Sequence, residues 1–209
     1  MEERNKITLV CTSHNPNLEL LNKMLHSAQG FDSVILHING EYVRHDFVKY
    51  GIEIKLSIPE AYNKFIKDFV YTEWVCCFCD DDYFYPSGLS KMIQEVHLGI
   101  DTDVAHFNFT ISGYRPFKDY RSWILGKEYE LGERQPITPS LLSKHNRLPA
   151  GSFFRKSAWE KVGGFQGDAS HDWYLWFMMA NAGLRFKYYD VLVYNLVRRK
   201  GSAWERQHK

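Results

Sequence analysis

The sequence lacks any apolar run near the ~18 residues that a membrane-spanning helix requires. The stretch Ile7 to Cys11, behind the charged start Met1 to Lys6, is too short for a signal-peptide core, so a soluble, cytoplasmic protein with no membrane span is expected. A dominant charge sign is lacking too. Lys and Arg number 26 against 25 Asp and Glu, a net +1, whereas a domain that tracks a nucleic-acid backbone is usually far more basic. Nucleic acid is therefore disfavoured as a partner. Cysteine is scarce: Cys76, Cys77 and Cys79 crowd one apolar stretch and Cys11 stands alone, with no second cluster at zinc-finger spacing. Reduced core thiols are the expectation. Internal repeats and low-complexity tracts are also absent.

What is present is ordinary globular composition, 44% hydrophobic over 209 residues, read as one domain, 1–209. The first half, to about residue 110, alternates short β-type runs with helical periodicity, the rhythm of an α/β fold with a mostly parallel central sheet flanked by helices. Strands are expected at Ile7–Cys11, Ser33–Ile38, Ile52–Leu56, Trp74–Cys79 and near Val104–Phe109. Between them, helical faces are formed by Leu18, Leu21, Leu25 and Ala28, by Tyr62, Phe65, Ile66 and Phe69, and from Pro86 by Leu89, Met92, Ile93 and Val96. From Gly113 to Pro149 the rhythm stops, with four prolines, three glycines and no sustained period, a length unusual for an idle loop. Regularity returns at Ser152–Arg155, in helices near Ser157–Val162 and after Ser170, and in a strand near Val191–Val197.

Asp80, Asp81 and Asp82 directly follow the most apolar strand, where a parallel sheet presents its ligand-binding edge. Two carboxylates with diphosphate oxygens form a hard-oxygen set suited to Mg²⁺ or Mn²⁺. A solvated acidic turn that merely caps the helix at Pro86 is the competing reading.

The run Ile58-Pro-Glu-Ala-Tyr-Asn63, a helix, and Trp74 to Asp82 followed by Tyr-Phe-Tyr-Pro86 resemble the nucleotide-sugar half of glycosyltransferase family 2, of GT-A fold. Leu9-Val-Cys-Thr-Ser-His-Asn-Pro16 is similar to that family's first strand and nucleotide-contacting loop. The resemblance implies a DXD-type motif in which Asp82 binds the metal and Asp80 and Asp81 lie against metal or ribose. It further implies that Thr12, Ser13, His14, Asn15 and Asn63 line the nucleoside pocket. Where the family has a base-contacting Asp pair, this chain has Asn39 and Glu41; an amide can still hydrogen-bond a base edge.

In the second half, Ser170 reads as an N-cap that puts Asp172 in a first turn, on the side of Leu175, Trp176 and Met179. The helix dipole there favours the ionised form by roughly 0.3–1 kcal/mol, which suits a proton acceptor and equally suits plain helix-start chemistry. Gly151 to Phe165, then His171 to Trp176, then Gly183 to Lys187 are similar in order to the family's acceptor half. That likeness implies that Asp172 is the general base and that His171, standing where the family has Glu, and Trp173 sit near the acceptor. In place of the family's Arg-x-His, the chain has Arg198-Arg-Lys-Gly-Ser202, where Arg199 and Lys200 either neutralise a departing diphosphate or belong to a basic, frayed end. Tyr114, Phe117, Tyr120, Trp123 and Tyr129 either form an acceptor platform or pack the 113–149 insertion onto the domain.

The resemblance runs from about Ile7 to Ser202. It implies an inverting, metal-dependent hexosyltransferase that moves one sugar from a nucleoside diphosphate donor, UDP-sugar foremost, to a hydroxyl of a glycan, lipid-linked or other acceptor. Residues 1–110 would bind donor and 111–209 acceptor. The alternative is a non-catalytic nucleotide- or sugar-binding module of the same fold, suggested by His171 and Lys200. An aspartyl phosphatase is disfavoured by Tyr83 and Phe84 after the motif, and nucleotidylyl transfer by the lack of a Gly-rich basic loop after Val10.

Overall fold

Strands buried on both faces read as near-continuous apolar runs, which is why the first half looks as it does. The computed structural model describes residues 6–14, 16–39, 50–53, 55–99, 101–113, 133–144, 146–167 and 170–198. Their elements, in chain order, are β1 (Ile7–His14), α1 (Leu18–Ser27), β2 (Ser33–Asn39), β3 (Tyr50–Glu53), α2 (Ile58–Phe69), β4 (Trp74–Cys79) and β5 (Tyr83–Phe84). There follow α3 (Pro86–Leu98), β6 (Val104–Gly113), α4 (Pro139–Leu142), β7 (Phe153–Arg155), α5 (Lys156–Val162), α6 (His171–Asn181) and β8 (Phe186–Arg198).

The strands form one mixed sheet ordered β3-β2-β1-β4-β7-β6-β8-β5. β3, β2, β1 and β4 run parallel, β7 is antiparallel to both β4 and β6, β6 and β8 are parallel, and β5 pairs antiparallel at the edge. Alternation along the strands feeds two cores. Leu9, Cys11, Cys76 and Phe78 meet α1 through Leu21 and Leu25 and α3 through Leu89 and Met92. On the other face Val10, Val75 and Cys77 meet α2 through Tyr62, Phe65 and Ile66, and α6 through Leu175, Trp176 and Met179. Burying Leu175 and Met179 contributes about 1.5–3 kcal/mol each, which fixes the start of α6 against the sheet.

Local chemistry starts the helices. Asn17 caps α1, its side-chain oxygen accepting from Glu19 N and Leu20 N. At α2 the Ser57 amide and hydroxyl both donate to Glu60, and proline occupies the first turns of α2, α3 and α4. Several sequence expectations change. The third strand begins at Tyr50 rather than Ile52, the last strand is longer than Val191–Val197, and β5 and α4 are additional. All four cysteines are free, yet Cys79 is exposed at the end of β4 rather than in the core. Ser170 stands at the N-cap of α6, but in a left-handed backbone (φ 58°) with no side-chain capping bond. No helix among the described residues is long and apolar enough to cross a membrane.

Candidate active site

The parallel strands β1 and β4 end side by side, with Thr12 in register with Cys79, so the residues that follow each strand converge. Ser13 Oγ donates to Asp80 Oδ2 at 2.6 Å, and both side chains are buried. Thr12 is buried beside them. Asp80 is thus tied to the β1 end. A second group forms from Cys79, Asp81 and Asp82, whose candidate ligand atoms all lie within 4.8 Å of one another. Asp82 is only 6% exposed, and its Oδ1 accepts from Val197 N at 2.8 Å, which ties the acidic turn to β8. Cys79 is exposed as a residue, yet crowding around its sulfur and the carboxylates of Asp82, Asp81 and Asp80 push its thiol upward, so the hard donors of this group are the two carboxylates. A hard divalent cation fits such an oxygen pair.

The sequence expectation sets both Asp80 and Asp81 against metal or ribose beside Asp82. Asp81 stands with Asp82 among the candidate ligands, while Asp80 bonds Ser13.

α6 supplies Asp172 from its first turn. Asn146 Nδ2 donates to Asp172 Oδ2 at 3.0 Å, holding the carboxylate from the segment after α4. His171 lies against the Tyr62 and Phe165 rings, with both centroid distances 5.8 Å. Tyr62 in turn donates to Phe78 O at 3.1 Å, so α2 links β4 to the entry of α6. Asn63 completes that link. It lies on the second turn of α2, and its Oδ1 accepts from Phe165 N at 2.8 Å and Trp159 Nε1 at 3.2 Å. Its Nδ2 donates to Phe165 O at 2.8 Å. The amide is engaged with the turn before α6.

Trp173 departs from Asp172. Its Nε1 donates to Leu142 O at 2.6 Å, and it lines a cavity of about 400 Å³ with Ser143, Ser170, Tyr174 and Phe177. The helical period sets this face of α6 roughly opposite Asp172, Trp176 and Met179. Both residues nonetheless bond the segment 142–146, Trp173 through Leu142 O and Asp172 through Asn146 Nδ2.

Tyr194 on β8 is buried, and burial chiefly raises its phenol pKa, with the charges of Asp82 and Asp172 among the lesser causes. Sequence reasoning missed Asn146, whose contact no local pattern signals. His14 and Asn39 end β1 and β2, and their side chains lie outside the description. Asn15, Glu41, Arg199 and Lys200 lie outside the described residues, as do Tyr114, Phe117, Tyr120, Trp123 and Tyr129.

No protein-family model matches the chain. No curated protein matches it either. Solved structures do. The structure of S. aureus TarS 1-349 in complex with UDP-GlcNAc matches with TM-score 0.66 at 15% identity, over 96% of this chain and 60% of that one. The complex of the same protein with UDP matches with TM-score 0.62 at 13% identity, over 92% and 60%. A longer TarS structure gives TM-score 0.65 at 12% identity over 92% of this chain and 37% of that one. The chain thus spans 60% or less of the length of these TarS structures. At such identity the likeness shows the fold, which is GT-A.

Proposed function

We propose that this GT-A-fold chain is an inverting, metal-dependent glycosyltransferase that moves one sugar from a nucleoside diphosphate sugar, UDP-sugar foremost, to an acceptor hydroxyl. The observation that carries the reading is the convergence of the acidic turn after β4 with the end of β1, where Ser13 bonds Asp80 and Asp81 stands with Asp82 in a group that suits a divalent cation. The likeness to a structure holding UDP-GlcNAc supports the choice of donor.

In this mechanism Asp172 accepts the proton of the acceptor hydroxyl as that oxygen attacks the anomeric carbon. The bond to the diphosphate breaks on the opposite face, so configuration inverts. Asn146 keeps the Asp172 carboxylate turned to its task. Asp81 and Asp82, with Asp80 behind them through Ser13, would hold Mn²⁺ or Mg²⁺, which supplies neutralisation of diphosphate charge. Thr12, Ser13, His14, Asn15, Asn39 and Glu41 are assigned to donor binding, and Arg199 and Lys200 to neutralising the leaving diphosphate, on the family resemblance. His171 borders the acceptor beside Asp172, and Asn63 positions the turn between Trp159 and His171. The two halves, 1–110 and 111–209, act as one domain.

Thermal melting with UDP, with and without Mn²⁺, tests the donor side. Metal-dependent stabilisation of about 2.7 kcal/mol is expected at a hundredfold excess over Kd. Asp82→Asn should remove it; stabilisation by UDP that ignores both metal and Asp82 would contradict the proposal.

A further inference from the structure

The cavity of about 400 Å³ between α4 and α6 has no part in the donor side of the proposed reaction. Its size falls within the roughly 300–1,000 Å³ of small-molecule sites. Ser170, Trp173, Tyr174 and Phe177 line it at the i, i+3, i+4 and i+7 spacing of one helical face, and Leu142 and Ser143 complete the lining. None of these described residues carries a charge.

The chemistry of the lining selects among ligands. An alkyl chain is matched by aliphatic side chains, of which there is one, Leu142; a phosphorylated ligand is matched by Lys or Arg, of which there is none. A neutral sugar matches both kinds of group present. Its C–H faces, polarised by the ring oxygens, sit on the negative faces of aromatic rings, and its hydroxyls exchange hydrogen bonds with serines. Ser170 stands at the N-cap of α6 without a side-chain capping bond. Ser143 Oγ donates to Ser140 O at 2.9 Å, which leaves its lone pairs to accept. The indole of Trp173 is fixed as a wall by its bond to Leu142 O.

Position ties this cavity to the proposed base. Ser170 precedes Asp172 by two residues, about 3 Å of helix rise. Ser143 precedes Asn146, which holds Asp172, by three residues, at most ~11 Å of extended chain. On the transferase reading, on which this inference rests, the reacting hydroxyl lies at Asp172. The cavity face is roughly opposite Asp172 around the first turn of α6, so what it holds is a different ring of the same acceptor. We infer that the cavity is an acceptor subsite for a neutral sugar ring beside the one being glycosylated, which makes the acceptor a neutral saccharide of more than one ring.

Saturation-transfer NMR with UDP and Mn²⁺ present tests this with cellotriose, maltotriose and chitotriose, and with octanoate as the apolar control. Wild type should bind at least one trisaccharide. Tyr174→Ala should bind it about tenfold more weakly, the upper size of one ring contact, and Tyr174→Phe as wild type does. UDP affinity should stay within about twofold in both variants, and because Tyr174 is 42% exposed, Tyr174→Ala should melt with wild type. Octanoate binding in place of every trisaccharide overturns the inference, as does trisaccharide affinity that Tyr174→Ala leaves unchanged. UDP binding without trisaccharide binding overturns the inference alone, whereas trisaccharide binding without UDP binding overturns the transferase reading and the acceptor role with it.

Discussion

At the scale of single residues, the same atom type plays opposite parts according to what surrounds it. Asp80, Asp81 and Asp82 are chemically identical, yet Asp80 accepts from Ser13 and Asp82 from the β8 backbone, and Asp82 shares the candidate metal group with Asp81. Burial alone decides the state of His106, whose pKa falls from 6.5 to about 4. Between those values the unfolded chain binds a proton that the folded chain refuses. Stability therefore declines as pH drops from 6.5 towards 4, with a slope approaching about 1.4 kcal/mol per unit. Urea denaturation across this window should show a shallower decline for His106→Leu than for wild type, and matching slopes would rule the explanation out.

At the scale of elements, α2 is the bridge between the strand that ends in carboxylates and the helix that carries Asp172. Tyr62 reaches β4 and Asn63 holds the turn before α6. Asn63→Ala strips partners from the Phe165 amide and carbonyl and should destabilise the protein by about 1–3 kcal/mol in denaturant titration. It should lower turnover more than UDP affinity, since the turn leads to α6; a selective loss of UDP binding would instead make Asn63 a nucleoside contact. Gly164 sits in that turn at φ +83°, where a Cβ would come within 2.5 Å of Asn63 Oδ1. Gly164→Ala should reproduce the Asn63→Ala loss of stability, and a melting temperature unchanged from wild type would contradict the tight turn.

Much of this architecture is legible in the sequence because periodicity is local. The apolar run Trp74–Cys79 and the 3.6-residue spacing in α1, α2 and α3 need only neighbouring residues to be read. β5 is only two residues long and exists through pairing with Tyr194 and Asn195, so no window around Tyr83 reveals it. The family resemblance sets Trp173 near the acceptor but says nothing of what its indole bonds. Neighbours on a helix diverge by about 100°, and Leu142 O takes its indole on another face. Cys79 looked like a core thiol because the strand before it is buried, but β4 ends there and leaves it exposed.

For the whole molecule, the sheet order places β1 beside β4 and β8 beside β5, so the acidic turn after β4 is held to the end of β1 through Ser13 and to β8 through Val197 N. The central claim is that Asp82 and Asp172 serve one reaction in different roles. Its most direct test measures UDP release from UDP-GlcNAc in Mn²⁺, alongside UDP affinity, for wild type, Asp82→Asn and Asp172→Asn. Loss of a general base costs about 10²–10⁴-fold in rate, so Asp172→Asn should turn over at least a hundredfold more slowly while binding UDP as wild type does, and Asp82→Asn should lose metal-dependent binding. Turnover by Asp172→Asn at the wild-type rate would contradict the account.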